Sequence, residues 1–291
     1  MSDDPEPAEN ISGGSADGGY ADTFDADAPA TRAEAVVDRL GDRYWQKSYG
    51  GRDAFECLVR TILSQNTSDV ASQPAHDALM DRYGGREVRS TSNSASGERS
   101  EPRAEGDLAE ALASADQPEL AETISSAGLY NQKSERIIAI ADRIVAEYGG
   151  EDAFDAFVRE DDSGTVRDTL LDMTGVGPKT ADCVLLFAGG RDGVFPVDTH
   201  VHRIARRIGL APPDADHETV REHLERDVPG EKCGFGHTAM IQFGREYCSA
   251  RKPDCLDDPE ACPMADLCDQ IGVDPTSGDV TDPAEAGVAD D

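Results

Sequence analysis

The chain has 291 residues, 27 basic side chains against 59 acidic ones, and a formal net charge of −32. That length allows one large domain or two smaller ones with ample core. The charge argues at first sight against a nucleic acid partner. Seven cysteines in so long a chain do not make a secreted disulfide scaffold. No apolar run reaches the length of a membrane helix, and the amino terminus lacks a basic start with an apolar core, so a soluble cytoplasmic protein is expected. The acid excess, the 5% aromatic content and the use of only five lysines among the 27 basic residues point to a halophilic adaptation. A hydrated acidic surface stays soluble in concentrated salt, where the screening length falls to roughly 3 Å at 1 M. An acidic interaction protein at ordinary salt is the other reading of the same composition.

Residues 1 to about 30 are rich in Gly, Ser, Ala, Asp and Pro without a basic residue, which predicts a disordered acidic leader. Thr31 to Leu40 opens the fold as a helix with Ala35, Val36, Val37 and Leu40 on one face, and Asp53 to Leu63 follows with Phe55, Leu58, Val59 and Ile62 inward. The run Gln65-Asn66-Thr67-Ser68 breaks the periodicity and reads as a polar loop with a helix cap at Ser68. Pro74 falls inside the next helix, which should start late or kink. Gly84 to Gly106 is low in complexity and reads as a flexible insertion. Short helices are predicted over Leu108 to Ala115 and Gln117 to Ser125, and a longer one over Asn131 to Tyr148 with Ile137, Ile138, Ile140, Ala141 and Ile144 inward. Two more helices flank Asp172 to Pro178. Val201, Ile204 and Ile208 then mark the core face of a helix whose other sides carry Arg203, Arg206 and Arg207, with Gly209 ending it. His217 to Arg226 and Phe235 to Tyr247 are the last predicted helices, and residues 269 to 291 read as a disordered acidic tail. No strand signal is convincing, so the fold is expected to be all-α.

The most informative stretch is Leu170-Leu171-Asp172-Met173-Thr174-Gly175-Val176-Gly177-Pro178-Lys179-Thr180-Ala181. Two glycines one residue apart between helical segments permit positive φ and close approach of the backbone. The amides of such a turn, with the amino terminus of the following helix, can point at an anion, and Pro178 suits the first helical position. This is a helix-hairpin-helix reading, set against an ordinary glycine-rich turn. Pro196-Val197-Asp198-Thr199-His200-Val201 follows, where Asp198 is a helix N-cap by position. Four cysteines then crowd near the end, Cys248, Cys255, Cys262 and Cys268, in a C-x6-C-x6-C-x5-C pattern that reads as a metal site. Cys183, among Ala, Val and Leu, reads as a buried small hydrophobe.

Taken together, the glycine hairpin with Lys179, the VDTH run with Asp198, the four-cysteine loop and two upstream runs (Leu63 to Asp69 and Gly128 to Lys133) resemble the endonuclease III branch of the helix-hairpin-helix DNA glycosylases, over about residues 31 to 268. The resemblance implies two lobes: a six-helix barrel module over about 52–191, and an iron–sulfur cluster lobe made of 31–51 and 192–268. DNA would lie between them, with Lys179 and Asp198 facing each other. It implies that Gln65 and Leu129 enter the base stack where a nucleotide has been turned out. Without the resemblance, these are a polar loop residue and a loop anchor. Lys179 would be the amine that displaces the base through a Schiff base, its pKa lowered by partial burial and the helix amino terminus. Its bland alternative is a phosphate-contacting or solvated lysine. Asp198 would assist at the sugar as charge develops there. Gly175, Gly177, Arg251 and Lys252 would contact phosphates.

The cysteines would hold a [4Fe–4S] cluster, with a four-thiolate zinc site as the structural alternative. The family has two residues between the second and third ligands, and here Leu256 to Ala261 adds four. The implied activity is a glycosylase with AP lyase action on oxidised pyrimidines in duplex DNA, carried out by a monomer. The rivals are a mismatch-specific adenine or thymine glycosylase, against which Lys179 speaks, and a non-catalytic iron–sulfur DNA-binding protein, which would need neither Lys179 nor Asp198.

The acidity makes a prediction of its own. At low salt the charge repels itself and the duplex, and at molar salt the long-range part is screened, as the Debye length falls from about 10 Å at 0.1 M to about 3 Å at 1 M. Folding, followed by circular dichroism, and incision of an abasic duplex are both expected to rise with KCl over that range. A stable protein most active at the dilute end would refute the halophilic reading.

Overall fold

The computed structural model describes residues 29–44, 52–67, 69–84 and 107–286. The expected acidic leader up to residue 28, the Ser68 cap and the insertion from 85 to 106 lie outside the described residues. Among the described residues no helix is long and apolar enough to cross a membrane. Part of the acid excess has a structural use. Asp53, Asp107, Asp116, Asp162, Asp198 and Asp216 each stand at a helix N-cap and accept main-chain N–H bonds from the first turn. A carboxylate there satisfies orphan donors and meets the positive end of the helix dipole.

The chain divides into two compact units, residues 50–190 and residues 1–49 with 191–291. α1 (Arg32–Gly41) belongs to the second unit. The first holds α2 (Ala54–Ser64), α3 (Asp69–Tyr83), α4 (Leu108–Ala113), α5 (Gln117–Thr123), α6 (Tyr130–Tyr148), α7 (Glu151–Glu160), α8 (Ser163–Leu171) and α9 (Pro178–Phe187). α6 is its hub, packed against α2, α4, α5 and α7, while α2 lies against α3, α7 and α9. The helix α3 begins at Asp69 and runs through Pro74 rather than starting late. The missing proline N–H would have bonded Val70, which is 86% exposed and gives its carbonyl access to water. The helix α7 has no counterpart in the sequence reading, because only Phe154 and Val158 mark its buried apolar face. Its start is held by an exchange: Asp107 Oδ2 accepts from the Glu151 N–H at 2.6 Å, and Glu151 Oε1 accepts from the Ala109 N–H at 3.2 Å. One carboxylate thus caps α4 and reaches α7, and the other reaches back.

The second unit is built on α12 (Gly230–Glu246), against which α1, α10 (Thr199–Ile208) and α11 (His217–Asp227) pack. On α1 the buried face is Ala33, Val36, Val37 and Leu40, so Ala33 replaces the expected Ala35. On α10 the arginines do not all face water: Arg206 and Arg207 are buried beside Val201, Ile204 and Ile208. Arg206 donates to the Pro213 carbonyl at 2.9 Å and pairs with Asp282 at 3.0 Å. Its partner sits in the segment expected to be disordered. Residues 269–286 are folded instead, as a two-stranded antiparallel hairpin (β1, Val273–Asp274; β2, Asp279–Val280) and the short α13 (Pro283–Ala286). Main-chain bonds from Asp269 to Ile208 and from Ile271 to Arg207 attach it to the end of α10. The all-α expectation therefore holds for the fold, with this one small hairpin added.

Close approach within the second unit runs through glycine. A Cβ on Gly236 would stand 2.7 Å from the Phe195 ring and 3.0 Å from a Val37 methyl, and one on Gly244 would stand 2.7 Å from His200. Phe195 and Val37 are themselves buried. Helix propensity alone would have Gly236→Ala stabilise the protein by up to about 1 kcal/mol. Overpacking should win, and the variant is expected to lose about 1–3 kcal/mol in denaturant unfolding. Equal or higher stability would show that the glycine is not a packing requirement.

Candidate active site and thiol recess

The glycine hairpin joins α8 to α9 with Met173 and Val176 buried beneath it. The helices are braced by Arg167, whose Nε donates to the buried Asp182 carboxylate at 2.6 Å. The two glycines serve different ends. Gly175 has φ +86°, and the Arg136 side chain lies where a Cβ would stand, its Cδ 2.4 Å away. Gly177 is extended at φ −99° and ψ 174°, with nothing within 4 Å of its Cβ position. Internal packing therefore leaves the Gly177 side of the turn open to another molecule's approach. Unlike the helices that begin at aspartate, α9 begins without a side-chain cap. The Thr180 N–H turns back to the Gly177 carbonyl at 2.9 Å. Among the described residues no side chain caps the positive end of the helix, where an anion is stabilised. Lys179, half-buried, is the second residue of α9, directly at this opening.

Gln65, at the end of α2, is drawn onto the hairpin. Its Nε2 donates to the Gly175 carbonyl and to Thr180 Oγ1, both at 3.1 Å, and Arg136 Nη1 donates to its Oε1 at 3.4 Å. Leu129 is 54% exposed and lies in the left-handed region at φ 48°. Its neighbour Tyr130 and the nearby helix start at Val70 complete the exposed large hydrophobics among the described residues. Gln65, Leu129, Gly175, Gly177 and Lys179 all belong to the first unit.

Asp198, in the second unit, caps α10: Oδ1 accepts from the His200 and Val201 N–H groups, both at 2.9 Å. Oδ2 takes no part in those two bonds, so the cap does not consume the whole carboxylate. The capping geometry thus leaves room for a second role.

The four terminal cysteines are unpaired thiols. All four line one apolar recess, partly open to solvent, together with Arg207, Phe243, Tyr247 and Met264. The residues added between Cys255 and Cys262 are wound into two 3-10 turns, Asp254–Leu256 and Pro259–Ala261, which keep both cysteines on the same recess despite the longer gap. Burial pushes the Cys268 thiol up to about 11 and raises Cys255 and Cys262 as well. Among the described residues, no three His, Cys, Asp or Glu groups converge as around a single metal ion. Arg207 is 2% exposed. It donates to the Ser249 and Ala250 carbonyls at 2.6 and 2.7 Å and to Cys248 Sγ at 3.6 Å, while its buried Nε has no hydrogen-bond partner. A buried cation with a spare donor beside four thiols fits an anionic iron–sulfur group, whose charge it would offset. Of the expected basic spot, Arg251 is exposed, but Lys252 is paired with Asp257 at 3.0 Å, both well exposed. Such a pair contributes little.

Two side chains given no role by the sequence reading prove central to the first unit, Lys133 and Arg136. The available signal was rarity: a lysine in a chain with five is as informative at 133 as at 179.

Residues 59–229 match the family described as HhH-GPD superfamily base excision DNA repair protein. The chain is 31% identical to the endonuclease III of Thermotoga maritima over 217 residues, 75% of this chain and 83% of that protein. It is 30% identical to that of Bacillus subtilis over 237 residues, 81% of this chain and 90% of that protein. The structure is similar to that of a trapped endonuclease III–DNA covalent intermediate, at a TM-score of 0.62 and 26% identity, over 82% of this chain and 96% of that one. With the open hairpin carrying a lysine at its mouth, these similarities mean that the chain belongs to the HhH-GPD superfamily of base excision DNA repair proteins, in its endonuclease III branch, and is a DNA glycosylase/AP lyase.

Proposed function

We propose that the chain excises oxidised pyrimidines from duplex DNA and cuts 3′ to the resulting abasic site, with Lys179 as nucleophile and Asp198 as the assisting carboxylate. The observation that carries this is the position of Lys179 at the open, uncapped start of α9, beside a glycine whose outer face is clear. The hairpin amides and the α9 amino terminus bind a phosphate of the damaged strand, and Gln65 and Leu129 fill the space of the extruded nucleotide. The Lys179 amine, in its neutral form, attacks C1′, and the base departs with the glycosidic bonding electrons and takes up a proton. Positive charge developing on the sugar is stabilised by the Asp198 carboxylate. The opened sugar and the amine form a Schiff base, which acidifies the C2′ hydrogens. Loss of a C2′ proton expels the 3′ phosphate by β-elimination, and water releases Lys179.

Borohydride added during turnover should trap a covalent protein–DNA adduct, and Lys179→Gln should abolish it while duplex binding survives. Asp198→Asn should keep the cap, since asparagine serves that position nearly as well, yet slow base release by a factor on the order of 10². Undiminished trapping in the first variant, or unchanged single-turnover kinetics in the second, removes that residue from the mechanism. Duplexes carrying thymine glycol, uracil or a mismatched adenine test the preferred base.

The recess residues Cys248, Cys255, Cys262 and Cys268 would hold a [4Fe–4S] cluster. When bound, it supplies a cross-link for the loop that carries Arg251. The support is the shared recess, which Arg207 also lines with one buried donor left without a partner. Anaerobically purified protein should be brown and contain iron and sulfide. One zinc and no sulfide would assign the site to zinc instead.

A further inference from the structure

Lys133 is 1% exposed, and among the described residues it makes no ion pair with a carboxylate. Its ammonium has three donors, and all three are used: to the Leu63 carbonyl at 2.7 Å, to Thr67 Oγ1 at 2.9 Å and to the Ala127 carbonyl at 2.7 Å. Leu63 O belongs to the last turn of α2, and Ala127 O ends the 3-10 turn over Ser125–Ala127. Both are carbonyl ends of helical segments, short of intrahelical partners and at the negative pole of the local dipole, where a cation is stabilising. Thr67 closes the arrangement by donating its own hydroxyl to the Ala127 carbonyl. One ammonium on α6 thus ties the loop after α2 to the loop before α6.

Each tied loop carries backbone strain. Among the described residues the non-glycine positions with positive φ are Asn66 at 53°, Leu129 at 48° and Gln270 at 54°. Two of the three lie within two residues of a Lys133 partner. A branched side chain such as leucine pays of order 1–3 kcal/mol to sit there, and such strain persists only where the surroundings over-determine it. The exposed Val70, Leu129 and Tyr130 lie on the same two loops or the helix starts that follow them. Large apolar side chains held outward by a strained backbone, over a buried cation with no carboxylate partner, suit a surface that meets stacked bases and phosphates.

We propose that Lys133 is a positioning residue that locks the two loops into a single wedge, so that Gln65 and Leu129 enter a duplex together. The proposal rests on the reading that these two side chains fill the space of the turned-out nucleotide. The ammonium suits the task by shape: three donors radiating from one atom match three oxygens around it, whereas the planar guanidinium of arginine does not. Burial and the charge of Arg136 push Lys133 down to about 8, consistent with a cation that has given up water for these three partners.

The test separates wedge insertion from chemistry. A duplex carrying a reduced abasic analogue, with 2-aminopurine opposite, brightens when the wedge unstacks the orphan base. The same chain is assayed for incision of true abasic sites in duplex and in single-stranded DNA, where there is no stack to enter. Lys133→Met should keep its helical circular dichroism and bind the duplex, yet lose the fluorescence rise. Its ratio of duplex to single-strand incision should fall about tenfold or more, as expected when the cost of unstacking is no longer shared between two groups. Thr67→Val keeps the side-chain shape and removes one of the three acceptors, so its ratio should move the same way by less, and this variant stands if Lys133→Met does not fold. Lys133→Arg should not restore the ratio. Wild-type fluorescence and ratio in the folded variants would overturn the proposal, as would parallel loss on both substrates. A wild-type chain that brightens the probe without incising anything would instead sink the catalytic reading and leave the wedge standing.

Discussion

The interaction on which both candidate sites depend is a buried cation bound to main-chain carbonyls rather than to a carboxylate. Lys133 binds the Leu63 and Ala127 carbonyls, and Arg207 those of Ser249 and Ala250. Burying a charge costs several kcal/mol unless its hydrogen bonds are met. Carbonyl oxygens meet them without cancelling the charge. In a chain with 59 acidic residues, a carboxylate partner was the readier choice, and the surface arginines took it: Arg32, Arg39, Arg82 and Arg226 all pair with Asp or Glu. Not every buried cation is held in this way: Arg206 pairs with Asp282, and Lys232 with Glu34 and Asp38. Lys133 beneath the loops and Arg207 beside the thiols are held by main-chain carbonyls.

On the halophilic reading proposed for the chain, a net charge of −32 is compatible with a DNA substrate. Net charge governs the field at long range, which salt removes within a few ångström at molar ionic strength. What remains is set by groups in direct contact, and at the hairpin the proposed ones are main-chain donors and Lys179. The acid excess also serves the fold locally. Six aspartates cap helices, and the helix at the hairpin mouth begins without a side-chain cap. Capping α9 in the same way would place a carboxylate where the proposed mechanism brings a phosphate.

Most of the helical fold was legible because each helix writes its buried face at a spacing of three and four residues, as in Val36, Val37 and Leu40 or Ile137, Ala141 and Ile144. Where the buried face is sparse, as in α7 with Phe154 and Val158, the periodicity carries too little signal. The roles of Arg206 and Arg207 were misjudged for a different reason. Charged residues default to water, and only contacts distant in sequence, with Asp282 and with the carbonyls of Ser249 and Ala250, reverse that. The same distance hid the folding of residues 269–286, whose acidic composition resembles a tail until Asp282 meets Arg206. Of the candidate site, the residue types and their order were readable. The tie from Lys133 to Leu63, across 70 positions, was not.

The cysteine loop shows how a spacing can change while the four thiols still line one recess. Thiol ligands need a shared space and correct approach, not a fixed number of intervening residues, provided the extra chain can be wound out of the way. Leu256 to Ala261 is wound in this manner, through turns begun at Asp254 and Pro259. Proline at 259 fixes φ at the start of the second turn, and the Asp258 carboxylate accepts from the Glu260 N–H at 3.1 Å. These are local interactions and would form whatever the recess holds, so the insertion need not strain the cysteines on either side. The added residues bring in Asp257, which pairs with Lys252. Because that pair is exposed and weak, the longer loop leaves the proposed basic spot of Arg251 and Lys252 in place.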